Sequence, residues 1–475
     1  MGEILGQDFD IILGRPTNSA ITLSVLFTQS ADMQIQYGTV SGKYDKSTNL
    51  YSMQSNVPNE IEIGGLLPNT KYYYVLSYKL NNSNVGKTSS EFYFQTQRSK
   101  GEEFVFTVES DEHLYDKKGI RSMYKITLQN QLNDKPDFMF SLGDIFGDDH
   151  DPFGITSDEL KLLHKDYRQY LGGICHSVPF FVALGNHEGE NDYYLTKNPP
   201  NNLAVWGTLW RKYYYPNPFP NNFYSGNTDI EPYDIGYPEN YYSFTWGDAL
   251  FVVLDAYRYQ GIKSDKPQNW DWTIGQKQYN WLKTTLESST SKYKFVFAHH
   301  VRGQGRGGIT NAKLYEWGGY ESDGKTWGFD KNRPGWGKPI HQLFKDNGVN
   351  IFFQGHDHLF AHEVMDNVHY QEVPMPSDST YTIGMLANAD AYTADTVDGT
   401  GHIRVKVSSS CIKVDYVKAY LPKDTLSSRN KNGQIGFSYT IGSCTITAIE
   451  NIDTDLSEWK VYPNPAKNYL HVSSD

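Results

Sequence analysis

Hydrophobic and polar positions follow two different rhythms along this chain. From about residue 8 to 98, short runs such as ITLSVLF, MQIQYG, NEIEIGGL, KYYYVLSYKL and EFYFQTQ recur at close spacing, with turn residues between them. Alternation with period two and frequent turns predicts an all-β sandwich. After residue 100 the apolar runs become continuous: EFVFTVES, PDFMFSLG, PFFVALG, KFVFAH and VNIFFQG. Runs of this kind suit strands buried on both faces of an α/β core. Between them lie segments with helical periodicity, IRSMYKITLQNQL, SDELKLLHKDYRQYLGG, TIGQKQYNWLKTTLES and PIHQLFKDNG, the last with Gly348 as its expected C-terminal stop.

Two long insertions interrupt the α/β pattern. Residues 189–240 are rich in Tyr, Asn and Pro, and residues 302–338 are rich in Gly and Trp. Loops of this length inside a compact domain are usually functional, and their aromatic content predicts ordered lids or rims. HIRVKVSS and IKVDYVKAYL read as closing strands. Residues 423–457 read as a polar linker, in which GFSYTIG and CTITAI are candidate short strands. The expected division is therefore 1–98, 99–422, 423–457 and 458–475.

Composition narrows the function classes. A chain of 475 residues predicts two to four domains at about 150 residues each. The net charge of −12 argues against general nucleic-acid binding, because few cations remain to neutralise phosphates. No apolar run approaches the ~18 residues of a membrane span. Aromatic residues make up 15% of the chain, enough for large packed cores, and this excludes a disordered chain. Of three cysteines, Cys175 reads as a small buried hydrophobe, while Cys411 and Cys444 are able to pair if the protein is exported. Met1-Gly2-Glu3 does not open a signal peptide, so export implies a leader already removed.

The chemistry is positional. Each of the five apolar runs ends in residues able to bind a metal or a phosphate. These are Asp111-Glu112-His113, Gly143-Asp144, Gly185-Asn186-His187-Glu188, His299-His300 and Gly355-His356-Asp357-His358. In α/β sheets, ligands bind outside the carboxyl ends of the strands, so the five clusters are expected on one rim. Alone, the Asp-x-His, Gly-Asp and His-His clusters read as turns or packed histidines, while Gly-Asn-His-Glu and Gly-His-Asp-His are sharper, because clustering scarce histidines costs desolvation unless something binds them. Together they are hard to explain as packing. The donors are carboxylate, amide oxygen and imidazole without thiolate, which suits Mn, Fe or Zn. They are too many for one ion and fit two, about 3.5–4 Å apart, sharing a carboxylate.

In this order the five clusters resemble the calcineurin-like metallophosphoesterase superfamily, over about residues 101–422. With the sandwich in front, the chain resembles purple acid phosphatase-like secreted enzymes, whose leading domain is similar to fibronectin type III. The resemblance implies an α/β catalytic domain of four αββα layers and two divalent metal ions. It assigns Asp111, His113 and His358 to the first metal and Asn186, His299 and His356 to the second, with Asp144 bridging. His300 is the alternative to His299. His187 faces the substrate phosphate and serves as the proton donor to the leaving group. Glu188 and Asp357 are expected in support, with a carboxylate behind His187 orienting its ring. The iron-binding tyrosine of the coloured enzymes is replaced here by Gly147, which predicts a colourless site.

The expected reaction is hydrolysis of a phosphate monoester by metal-bound hydroxide, with a diesterase or nucleotidase on the same site as the alternative. A non-catalytic adhesin or glycan binder with a dead site is the reading from another class. Arg302 and Arg306 are candidates to grip phosphate and equally plausible as solvent-facing loop residues. Tyr193, Tyr194 and Trp317 either stack on a leaving group or pack the loops, and the acidic run Asp148 to Asp151 reads mainly as a solvated loop. At the C-terminus, Val461-Tyr462-Pro463-Asn464-Pro465-Ala466 resembles the opening of a type IX secretion sorting domain, although YPNP alone also suits a turn. That resemblance implies secretion machinery as a partner and a secreted or surface location.

Overall fold

In a computed structural model, the described residues are 8–115, 119–146, 151–262, 270–301, 306–384, 391–392, 395–426 and 430–444, with the backbone alone at 459–462 and 471–474. The first nine strands are β1 (Phe9–Gly14), β2 (Ile21–Phe27), β3 (Ala31–Gly38), β4 (Lys46–Ser47), β5 (Tyr51–Met53), β6 (Asn59–Ile63), β7 (Lys71–Leu80), β8 (Lys87–Thr88) and β9 (Phe92–Gln95). One sheet runs β1-β2-β6. A second runs β4-β3-β7-β8, with β5 added to β3 and β9 to β7, and every pairing is antiparallel. The period-two pattern explains this. In β3 the alternate positions Ala31, Met33 and Ile35 are buried, and they meet Leu23, Val25 and Ile61 from the facing sheet in one core.

The continuous apolar runs also form strands, but in two sheets that face one another. They are β10 (Phe104–Glu109), β11 (Phe138–Ser141), β12 (Phe180–Val182), β16 (Tyr293–Phe297) and β17 (Ile351–Gln354). Between β12 and β16 lie β13 (Ser225–Gly226) and the hairpin β14 (Tyr242–Trp246) and β15 (Ala249–Val253). After β17 come β18 (Phe360–Met365), β19 (Val368–Glu372), β20 (Asp395–Val397), β21 (Gly401–Val407), β22 (Cys411–Lys418) and β23 (Ile435–Gly442). One sheet is β12-β11-β10-β21-β22-β23 and the other β13-β14-β15-β16-β17-β19-β18-β20. The runs in β10–β12 pair in parallel, as do β15, β16, β17 and β19.

The two sheets are joined by an aromatic core. Phe140 stacks on Phe297 at 4.1 Å, and Phe106 meets Phe251 and Phe295, each at 5.2 Å. Helices cover the outer faces. Over the first sheet lie α1 (Arg121–Asn133) and α2 (Ser157–Leu171), and α2 opens on a Thr156/Glu159 capping box. The long insertions carry α3 (Asp192–Leu195), α4 (Leu203–Tyr214) and, after α5 (Gln276–Ser288), the short helices α6 (Ile309–Ala312), α7 (Tyr315–Gly318) and α8 (Phe329–Asn332). With α9 (Ile340–Asp346), α5 covers the second sheet through Leu282, Leu286, Leu343 and Phe344. Helix α9 stops at Asn347, and Gly348 follows with φ of 63°, the left-handed conformation that glycine adopts without cost. The expected helix–sheet–sheet–helix order is therefore present.

The five runs divide between the two sheets, three in one and two in the other, and their ends meet across the sandwich. The β14–β15 hairpin and the β18–β19 pair were not anticipated. The stretch expected to be a linker contains a full edge strand, since β23 pairs with β22 along its length, and Cys444 just beyond it is disulfide-bonded to Cys411. A helical turn, α10 (Pro422–Thr425), precedes it. CTITAI, apart from Cys444, lies outside the described residues. In the tail, β24 (Trp459–Tyr462) pairs with β25 (His471–Ser474), and residues 463–470, which include most of YPNPA, are outside the described residues.

The sandwich is fastened to the α/β unit by polar contacts. Arg168 of α2 is fully buried. It donates to Asp10 Oδ1 at 2.5 Å, to Ser24 Oγ at 2.9 Å and to the Ser24 carbonyl, and it also meets the Tyr214 carbonyl. Leu13 N–H donates to the Cys175 carbonyl, and Tyr74 donates to that of His176.

Candidate metal centre

The ends of β10, β11, β12, β16 and β17 bring Asp111, His113, Asp144, Asn186, His299, His356 and His358 into one buried cluster. Five of these seven, Asp111, His113, Asp144, His356 and His358, have positive φ, between 43° and 74°. Non-glycine residues in this region cost about 1–3 kcal/mol each and persist only where the surroundings force them. Here tight strand-to-loop turns force them. Gly185 packs against the Asp144 backbone and carboxylate, and Gly355 packs against the Ser110 and Asp111 side chains. A Cβ at either glycine would collide. The glycines of the motifs are thus explained by close approach.

Each of the two aspartates has one oxygen tied down and one turned inward. Asp111 Oδ2 accepts from Ser110 Oγ (2.6 Å) and His356 N–H (2.8 Å), while its buried Oδ1 has no hydrogen-bond donor. Around that Oδ1 stand the Nε2 atoms of His358 (3.4 Å), His113 (3.7 Å) and His299 (3.8 Å). Asp144 Oδ1 accepts from His187 N–H (2.8 Å). Its Oδ2 faces His299 (3.2 Å), His113 (3.7 Å) and His187 (3.9 Å). Such spacings are mostly long for hydrogen bonds. They resemble the ~3–3.5 Å edges between ligands that each sit ~2.0–2.2 Å from one cation. Asn186 Oδ1 is likewise buried without a donor. Three overlapping groups emerge, Asp111/His113/His358, His113/Asp144/His187 and Asp144/His299/His356, so that His113 and Asp144 link the outer two. The donor set fits divalent metal ions.

Charge reinforces the geometry. Burial would raise the Asp111 and Asp144 carboxyls, yet the facing histidines, His299 first in each case, hold both well below the usual range. Burial would lower His299, and Asp144 and Asp111 instead lift it to about 9. His356 is driven well below its usual value by burial and by the neighbouring His300 and His299.

The supporting residues differ in part from expectation. His299 is the member of the pair that reaches the centre, and its Nδ1 is fixed by the Leu142 carbonyl at 2.8 Å. His300 packs behind His356, with Nε2 3.7 Å from Asp357. Glu188 does not stand behind the His187 ring. Its carboxylate accepts from the backbone N–H groups of Asp144 (2.9 Å), Ile145 (2.7 Å), Phe146 (3.3 Å) and Gly185 (2.6 Å). It therefore clamps the two turns that carry Asp144 and Asn186. Burial, then the Asp144 charge, raises its pKa. A buried anion surrounded by N–H groups is satisfied in a way that a bare loop is not.

Asp357 accepts from Gly307 N–H (2.6 Å), Tyr392 Oη (2.6 Å) and Arg306 Nη1 (3.1 Å), and Tyr392 Oη also lies 2.9 Å from Glu372. His300, Asp357 and Glu372 lie close enough to form a fourth group, but their carboxylates already hold these donors. Arg306 also donates to the His356 carbonyl at 2.9 Å, so it braces this loop while remaining partly exposed. Arg302, Gly147 and Asp148 to His150 lie outside the described residues. Tyr193, Tyr194 and Trp317 are buried. Glu372 and Tyr392 were not singled out from sequence, because nothing in the pattern links them to a strand-end motif.

The calcineurin-like phosphoesterase profile matches residues 104–360, more than half of the chain. Probable purple acid phosphatase 20 of Arabidopsis thaliana is 26% identical over 279 residues, covering 57% of this chain and 52% of that protein. Alkaline phosphatase D of Bacillus subtilis is 26% identical over 297 residues, covering 55% and 48%. The chain thus spans about half the length of these curated relatives. Among solved structures, PhoD superposes with a TM-score of 0.61 at 17% identity over 91% of this chain and 90% of that one. The purple acid phosphatase PPD1 of yellow lupin (Lupinus luteus) gives 0.58 at 16% identity over 93% and 77%. Both show the same fold. The chain belongs to the calcineurin-like phosphoesterase family.

Proposed function

We propose that the protein is a secreted phosphomonoesterase that works with two divalent transition-metal ions. The observation that carries this reading is the pair of half-anchored aspartates: each turns one oxygen toward several imidazoles, and that of Asp111, like the Asn186 Oδ1, is buried with no donor to satisfy it. Asp111, His113 and His358 would hold one ion and Asn186, His299 and His356 the other, with Asp144 between them. When bound, such a pair supplies a water of lowered pKa and neutralises charge on a phosphoryl group. The chain's own residues do the rest. Glu188 and Asp111 Oδ2 keep the turns rigid. His187, with its side chain 19% exposed and its ring edge-on to His113 at 5.1 Å, faces the opening, where it stabilises phosphate charge and donates a proton to the leaving oxygen. Arg306 acts first as a brace. Any grip on phosphate is secondary.

Secretion is supported by the Cys411–Cys444 disulfide, since such bonds persist in oxidising compartments. The sorting-domain resemblance of the tail supports it too. Among the described residues, no helix is long and apolar enough to cross a membrane. We assign residues 1–98 to a fibronectin type III-like sandwich, 99–422 to the catalytic domain, 423–457 to a linker with short strands, of which β23 extends the first sheet of the catalytic domain, and 458–475 to the start of a sorting domain.

The test compares an aryl monophosphate with a bis-aryl phosphate across added Mn, Zn and Fe, using wild type and His187→Ala. The monoester should be preferred. The variant should lose at least about a hundredfold in kcat while keeping two ions per chain. Preference for the diester would reassign the substrate, and near-normal turnover by the variant would remove the role given to His187.

A further inference from the structure

At the opposite end of the second sheet from the metal centre lies a cavity of about 690 Å3. It opens between α5 and the β13–β14 edge and is closed on one side by residues 97–100, which connect the sandwich to the α/β unit. Its position follows from strand direction. Ser289 to Ser291 line it and precede β16, whereas His299 follows β16. Five residues of strand, at about 3.3 Å each, therefore separate the two sites by roughly 17 Å or more. The connection is ordered there: Gln97 donates to Thr245 (2.9 Å to the carbonyl), and Gly247 N–H donates to the Arg98 carbonyl.

The lining has an unusual chemistry. Ten of its sixteen residues carry a hydroxyl and none carries a carboxylate, so most positions offer both a donor and an acceptor; the nearby carboxylates of Asp137 and Asp248 are engaged by Arg98 and by the Gly101 N–H. Thr245, Thr284 and Ser288 are exposed to it. One aromatic wall is supplied by Trp281. Its indole N–H is tied to Ser225 Oγ at 2.8 Å, and the Tyr241 ring supports it at 4.8 Å, so the indole is held in place before any ligand arrives. Two cations complete the lining. Arg98 is engaged by Asp137 at 2.7 and 2.9 Å, while Lys100 is exposed at the mouth.

We propose that this cavity is a binding site for a short acidic oligosaccharide, separate from the phosphoesterase centre. A sugar ring has an apolar C–H face that lies on an indole and hydroxyl edges that need partners of both kinds, as Ser and Thr provide. The volume falls within the 300–1,000 Å3 range typical of small-ligand sites. Lys100, unopposed by any carboxylate in the lining, favours a carboxylate-bearing sugar over a neutral one. The enzyme would thereby be held on a polyuronide or similar matrix while the metal centre stays open.

Calorimetric titration of the intact protein with trigalacturonate, and with maltotriose as the neutral counterpart, tests this. Trigalacturonate should bind saturably and at least tenfold more tightly than maltotriose. Trp281→Ala and, independently, the groove-filling Thr284→Trp should each weaken binding at least tenfold without changing aryl phosphate turnover. Lys100→Ala should erase the preference for the acidic sugar. The proposal is overturned if neither saccharide binds, if maltotriose binds as well as trigalacturonate, or if Trp281→Ala and Thr284→Trp leave binding intact.

Discussion

Single side chains decide whether the centre can form. Glu188 is the clearest case, because one buried carboxylate receives four backbone N–H groups from two turns. Glu188→Gln removes the charge and places an NH2 among donors. It should lower kcat or metal affinity about 10–100-fold, the range for residues that orient ligands. Metal content and turnover measured together read this out, and an unchanged enzyme would contradict the clamp. His164 makes a different test. It is buried against Phe146 and the Tyr214–Tyr215 pair, and burial, aided by the charge of Arg211, pulls its pKa down to about 3. The unfolded value is about 6.5, so the unfolded chain takes up the proton first. Stability from this group is complete above pH ~6.5 and is lost as pH falls toward 3, at up to about 1.4 kcal/mol per pH unit. Urea unfolding at several pH values between 7 and 4 should show a shallower decline for His164→Phe than for wild type.

At the level of elements, helix α2 joins the two halves of the molecule. Its capping box fixes where it starts, and Arg168 near its end reaches across to β1 and β2. Removing one partner of a buried ion pair leaves the other uncompensated, typically at about 3–5 kcal/mol. Arg168→Ala should destabilise by about that much, since Asp10, Ser24 and the Tyr214 carbonyl all lose a donor. Denaturant unfolding measures the loss. A fall of less than about 1 kcal/mol would mean that the sandwich is held by apolar contact instead.

Across the whole molecule, seven ligand candidates from five strand ends are assembled only by the closing of two sheets. Bound metals should therefore stabilise the fold as well as enable reaction. Free ion at about 100 times its Kd adds roughly 2.7 kcal/mol per site. Dialysis against a chelator should abolish aryl phosphatase activity and lower the melting temperature, and re-addition of Mn, Zn or Fe should restore both. Recovery of neither with any of the three would argue against the proposed metals.

Much of this was legible in the order of residues. Period two in ITLSVLF and MQIQYG, continuous apolar runs in FVFTVE and FMFS, and metal-capable residues just past each run are local facts, because a strand's burial is written in its own side chains. The candidate ligands were named from those motifs, and the family resemblance put His299 ahead of His300 while leaving the pair open. What only the tertiary structure decided depends on residues distant in sequence. The parting of the five runs between two sheets, the place of β14–β15 beside β16, and the clamp that Glu188 puts on the Asp144 turn all rest on hydrogen bonds and packing formed after the chain has folded back on itself. A carboxylate next to His187 in sequence reads as that ring's partner. In space it takes the N–H of Gly185 in its own turn and three backbone N–H groups more than forty residues away, and a buried anion goes to the donors that satisfy it.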